Sequence, residues 1–211
     1  MSIVKRYLIF LMGLIFMAMG IVLIIKSSLG TSPISSIAYV LSLAGPFTVG
    51  EFNFIISVIM FVLQPMILRS KFEWIQLLQL PMTFIFCVFI DLFMYIFGWL
   101  FPVSYPAHLF VLFCGCIAMA IGVTCQLLGH VVLLPGEGLV NAIAVHWHFD
   151  FGKVKVVFDW TLVAMAAAFS LYYFDSIVGI REGTLISALS TGMLVKLFMS
   201  VLLKFNLQKK I

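Results

Sequence analysis

The amino-acid sequence predicts an all-α membrane protein of about six transmembrane helices plus two short re-entrant half-helices, arranged as a 3+3 inverted repeat. Three observations carry that expectation. Of the 211 residues, 64% are hydrophobic and 9% charged, whereas a soluble domain carries roughly a quarter charged residues. The apolar residues come in uncharged runs such as Tyr7–Ile25 and Leu109–Gly129, each close to the ~20 residues that cross ~30 Å of hydrocarbon. Glycines and prolines of the first half recur in the second at a constant offset of 102 positions.

The elements follow in order. Lys5 and Arg6 precede the first apolar helix (7–26). That helix is too long for a signal-peptide core and has no small-x-small cleavage site after it, so it reads as a retained membrane helix. A short segment opened by Pro33 follows (33–44). Pro33 to Leu43 is eleven residues, or ~16 Å of helix, half a bilayer rather than a whole one. Two further spanning helices (52–68 and 74–100) complete the first repeat, residues 1–100. The stretch Phe101–Ala107 holds Pro102 and Pro106 and is a loop, and Trp99, Phe101 and Tyr105 suit an interfacial aromatic belt. The second repeat, 107–205, has the same plan: 107–129, 135–148, 154–174 and 183–204. None of the runs alternates as a membrane β-barrel strand would, so helices are the spanning element. The two repeats form a single membrane domain.

At the offset of 102, Gly13 and Gly20 map onto Gly115 and Gly122, and Met17-Ala18 onto Met119-Ala120. Pro33 maps onto Pro135, Phe47 onto Phe149 and Gly50 onto Gly152. Inserting three residues extends the match to the last helix of each half and aligns Asp91 with Lys196. Glycine and proline mark backbone events, so their gapless match outweighs the low overall identity.

Two topologies compete. If the short segments are re-entrant, each half crosses three times and the halves are inverted. If they span, each half crosses four times and the halves are parallel. In the re-entrant model Lys5, Arg6, Arg69, Lys71, Lys153, Lys155, Lys204, Lys209 and Lys210 all face one side, leaving only Lys26 and Arg181 on the other. The positive-inside rule favours this arrangement, with both termini cytoplasmic.

Re-entrance has a mechanical consequence. Six residues separate Lys26 from Pro33 and reach ~20 Å when extended, enough to dive to mid-membrane before the short helix turns back. Both short helices then begin near the midplane and face each other. Half-helix N-termini at a repeat interface form a recurrent substrate site, and their free N–H groups favour anions or acceptors. The candidate substrate-binding residues are therefore Thr31, Ser32, Ser35, Gly136, Glu137, Gly138 and Asn141. Glu137 has two readings, a cation- or proton-binding carboxylate or a cap for its own helix. Asp91, Asp159 and Lys196 are intramembrane charges that need polar partners. Asp91 and Lys196, as repeat mates near mid-membrane, are expected to pair, for function or for structure alone. Gln64, Gln126 and His130 are weaker candidates.

Other patterns carry no chemistry. His146 and His148 are two apart and leave opposite sides of a helix, so no metal site is expected. Gly136-x-Gly138 follows no strand and precedes no Lys-Ser/Thr. Cys87, Cys114, Cys116 and Cys125 lie inside apolar runs and read as packing residues. No nucleophile–base arrangement stands out, so no catalytic residue, enzyme activity or cofactor is expected. The net charge of +4 is explained by topology, and no nucleic-acid partner is implied. The paired helix glycines, Gly13/Gly20 and Gly115/Gly122, suit close helix packing.

The spaced glycines of the first helix, the run Gly30-Thr31-Ser32-Pro33 and the downstream Gly179-Ile180-Arg181-Glu182-Gly183-Thr184 together resemble the YitT/YczE-type bacterial membrane proteins. The resemblance covers most of the chain. It implies a bacterial cytoplasmic membrane location and carries over no substrate and no catalytic residue.

The function expected from these features is a small-solute transporter or channel with a midplane site for an anionic or acceptor-bearing solute. The alternative is a non-transporting membrane subunit, either a solute-binding component or an accessory factor of a larger complex. Its partners would be the lipid bilayer, a small-molecule solute, and a second copy of the chain or a partner membrane subunit.

Overall fold

Two of the helices, one beginning after Thr48 and one after Asp150, start where a side chain satisfies a first-turn N–H group. In the computed structural model, which describes residues 2–69 and 72–208, eight α-helices are present and no strand is found among the described residues. They are α1 (Ile3–Lys26), α2 (Pro33–Ala44), α3 (Val49–Leu68), α4 (Gln79–Ile96), α5 (Tyr105–Gly129), α6 (Pro135–Trp147), α7 (Phe151–Phe174) and α8 (Glu182–Gln208). Lys71, Lys209 and Lys210, which entered the orientation argument, lie outside the described residues.

Six stretches are long and apolar enough to cross a membrane: α1, α3, Trp74–Trp99 (α4 with its flanking 3₁₀ turns), α5, α7 and Glu182–Leu202 of α8. The chain is a multi-pass membrane protein. With 12 and 13 residues, α2 and α6 reach only ~20 Å.

Helices α3 and α7 start three residues before their apolar stretches. Thr48 and Glu51 form a reciprocal capping box: Thr48 Oγ1 accepts from Glu51 N–H at 3.1 Å, and Glu51 Oε2 accepts from Thr48 N–H at 2.8 Å. Asp150 Oδ1 accepts from Lys153 N–H at 3.1 Å. Caps, not hydropathy, set these starts, because a first turn in polar surroundings needs acceptors more than it needs apolar side chains.

The chain forms two compact units. One is built from α1, α5 and α8; the other, from Pro33–Leu92 and Val132–Ile180, holds α2, α3, most of α4, α6 and α7. Each draws on both sequence halves, so neither coincides with residues 1–100 or 107–205.

In the first unit the backbones of α1 and α5 touch through glycine. A Cβ on Gly20 would sit 2.5 Å from Met119 N, and one on Gly122 would sit 2.5 Å from Met17 N. Gly13 and Gly115 are equally closed, against Gly122 O at 2.8 Å and Ile24 N at 2.9 Å. The ends are sealed reciprocally. Arg6 Nε–H donates to Gly129 O at 3.0 Å and its Nη2 donates to His130 O, at the end of α5. His108 Nδ1, in the first turn of α5, lies 2.6 Å from Ser27 O at the end of α1. A carbonyl only accepts, so this pairing uses the Nδ1–H tautomer. The two helices are therefore antiparallel. Ile24, Leu29, Leu112 and Cys116 form the core beside them, with Leu194 of α8 against it.

In the second unit α2 packs on α3 and α7, and α6 packs on the same two helices. Ile37 and Val40, Met60, Leu139, and Leu162 with Ala166 supply one core from all four.

Candidate functional site

Pro33 and Pro135 stand at the first position of α2 and α6, where a missing N–H costs nothing. The two first turns meet. Ile34 Cδ1 lies 3.5 Å from where a Gly136 Cβ would be, ordinary van der Waals spacing that makes the two helix starts neighbours.

A buried amide pair fastens the start of α6. Gln64 Nε2 donates to Gln79 Oε1 at 3.0 Å, and Gln79 Nε2 returns a bond to Gln64 Oε1 at 3.1 Å. Gln64 Nε2 also donates to Pro135 O at 3.2 Å. Both glutamines are all but fully buried, which is affordable because their amides satisfy each other. A Cβ on Gly138 would lie 2.8 Å from Gln64 Nε2, so this glycine makes room for the amide. Gly138 N–H is bonded to Leu134 O at 2.7 Å. The N–H groups of Gly136 and Glu137 precede it, at the positive end of the helix dipole.

Glu137 and Asn141 are one turn apart on the same face of α6, both half-buried. On α7, Lys155 Nζ pairs with Asp159 Oδ1 at 2.5 Å, with side-chain exposures of 26% and 22%. Glu137 is coupled electrostatically to both Lys155 and Asp159. One ammonium and two carboxylates thus interact at the start of a short helix whose dipole adds positive character. Such a cluster can bind a polar group or hold a proton.

The second unit holds Ser35, Gly136, Glu137, Gly138 and Asn141; Thr31 and Ser32 belong to the first. Ser35 is fully buried in α2. Thr31 and Ser32 are buried in a non-helical strap that α8 fastens. There, Gly183 N–H donates to Leu29 O at 2.8 Å, and Thr31 N–H donates to Thr184 Oγ1 at 3.2 Å. Gly30 has φ +141° and lies against Thr184 Oγ1, a conformation and a clearance that only glycine supplies.

The three charges expected inside the membrane, Asp91, Asp159 and Lys196, have different surroundings. Asp159 joins the cluster. Asp91 lies against the first turn of α3. Its carboxylate accepts from Thr48 Oγ1 at 2.7 Å and Gly50 N–H at 2.8 Å. A helix start offers ready donors to a carboxylate. Lys196 is exposed on α8.

In the sequence Lys155 reads only as a topology marker and Thr184 only as part of the Gly179–Thr184 motif, while Gln79 has no role. The i,i+4 spacing of Lys155 and Asp159 on α7 was the available signal. Thr184 meets Thr31 across 153 positions, a proximity no local pattern encodes.

Residues 4–200 match a family model described as "Family of unknown function (DUF6198)". A relative from Bacillus subtilis (strain 168), "Uncharacterized protein YyaS", is 31% identical over 211 residues, covering 97% of each chain. No solved structure matches. With a model spanning nearly the whole chain and a relative aligned over almost its full length, the protein belongs to the DUF6198 family.

Proposed function

We propose that the protein is a small-solute transporter or channel built as a 3+3 inverted repeat, with α2 and α6 as re-entrant half-helices. One observation carries the reading: two helices too short to span, each opened by proline, touch at Ile34 and Gly136 beside the Glu137–Lys155–Asp159 cluster. The reciprocal end-sealing of α1 and α5 supports the repeat, because Arg6 and Gly129 stand 102 positions from His108 and Ser27, respectively after and before. In this reading the solute site lies at the first turns of α2 and α6. Ser35, Gly136, Glu137, Gly138 and Asn141 line it, Lys155 and Asp159 set its charge, and Glu137 couples movement to protons. The N–H groups of α6 receive an anionic or acceptor group.

The motif resemblance to YitT/YczE-type proteins and the relative from a bacterium support a bacterial cytoplasmic membrane. The excess of Lys and Arg on one side supports cytoplasmic termini. Labelling of Arg69→Cys by a membrane-impermeant thiol reagent from the cytoplasmic side only is the expected result; labelling from outside would break the inverted arrangement.

Purified protein in liposomes should accelerate the equilibration of acetate or lactate in a light-scattering assay, and Glu137→Gln should change its pH dependence. The second reading, a non-transporting subunit, is favoured by Lys196, which is exposed on a helix long enough to span and so invites a carboxylate from a partner. Binding of the solutes without flux would favour that reading.

A further inference from the structure

We propose that the groove between α3 and α4 seats a membrane lipid with a primary ammonium headgroup, an inference that does not depend on the transport reading. Gly50, Glu51 and Asp91 form one end, while Phe54, Phe84 and Val88 line its length. Phe54 and Phe84 meet edge to face, with ring centroids 5.7 Å apart. Phe84 and Val88 are 56% and 49% exposed, on helices long enough to cross a membrane, so hydrocarbon chains are what this groove meets. From the Asp91 end to Phe84 is about two turns, or ~11 Å, the depth between headgroups and upper acyl chain.

Charge selects the headgroup. Gly50 brings α3 so close to α4 that its Cβ would lie 2.5 Å from Asp91 Oδ2, which gathers Asp91 and Glu51 at the first turn of α3. Their hydrogen-bond donors are the uncharged Thr48 and Gly50. Among the described residues, neither carboxylate is in an ion pair. The helix dipole offsets part of this negative charge, and a mobile cation can offset the rest. A primary ammonium bonds carboxylates directly, whereas an anionic headgroup is repelled.

Native mass spectrometry of the full-length protein, titrated with phosphatidylethanolamine or phosphatidylglycerol of matched chains, tests this. The ammonium lipid should be retained about fivefold better, the ratio one weakly screened ion pair supports. Glu51→Gln, which keeps a side-chain oxygen for the Thr48 N–H, should erase the preference. Val88→Trp, which touches no cap, should reduce retention of both lipids. Equal retention of the two lipids by the wild type, or unchanged retention by Val88→Trp, would overturn the proposal. So would dimer cross-linking through Ile55→Cys, which would mean that a second copy covers the groove.

Discussion

Arg6 and Gly129 join the start of α1 to the end of α5, the guanidinium donating to the last carbonyls of α5. Because hydrogen bonds from a charged donor contribute about 1.5–3 kcal/mol, Arg6→Ala should lower stability in detergent by that order. Arg6→Lys should recover part of it. His108→Ala, which removes one bond to Ser27 O, should cost less. Thermal melting followed by size-exclusion chromatography reads all three; an unaffected Arg6→Ala protein would mean the seal contributes nothing.

The glycine crossing should be less forgiving. Gly20→Val places a branched side chain where the first carbon already lies 2.5 Å from Met119 N. Overpacking costs about 1–3 kcal/mol when the core can relax, and backbone cannot move aside as a side chain does. Loss of monodisperse protein is expected, while Gly98→Ala, in open space, should behave as wild type.

Gln64 and Gln79 invite a double-mutant cycle. Either single change to Leu strands a buried amide and should cost about 1–3 kcal/mol. The double change removes both partners, so its cost should fall below the sum of the two. Strict additivity in chemical unfolding would show that the reciprocal amides are not coupled.

Thr184→Val removes the acceptor for Thr31 N–H and keeps the shape, so amide exchange should accelerate at Leu29–Thr31 with the rest unchanged. Thr184→Ser should restore protection. Uniform protection in the valine variant would show that the strap is held by other contacts.

Lys155→Met leaves two interacting carboxylates without their ammonium, and breaking a shielded pair from one side is costly, up to ~3–5 kcal/mol if fully buried. The side chains keep 26% and 22% exposure, so a smaller loss is expected. Lys155→Met with Asp159→Leu should recover stability in the same melting assay; no recovery would mean that Lys155 acts through something other than charge.

Much of this architecture is legible in the sequence, since hydropathy and proline report local physics. Pro33 and Pro135 mark the starts of α2 and α6 correctly. Thr48 and Asp150 show the limit: polar first turns look like loop to a reader following apolar runs, although Thr48-x-x-Glu51 is a capping signature. Asp91 shows another, because residue type and spacing do not reveal that a neighbouring helix begins against it. The Gln64–Gln79 pair and the Thr31–Thr184 clasp depend on tertiary proximity, which residue type and spacing do not encode.

The interleaving of the two units bears on how the chain is made. Once α1 has entered the bilayer, the helix that fits its glycine face has not been synthesised; α5 begins only at Tyr105. At ~5–20 residues per second, α1 waits for seconds with its glycine face turned to lipid, and the half-helix α2 waits longer for α6. Completion of both units therefore belongs to the end of translation, and a ribosome stalled midway leaves a product with no finished core for quality-control proteases to spare.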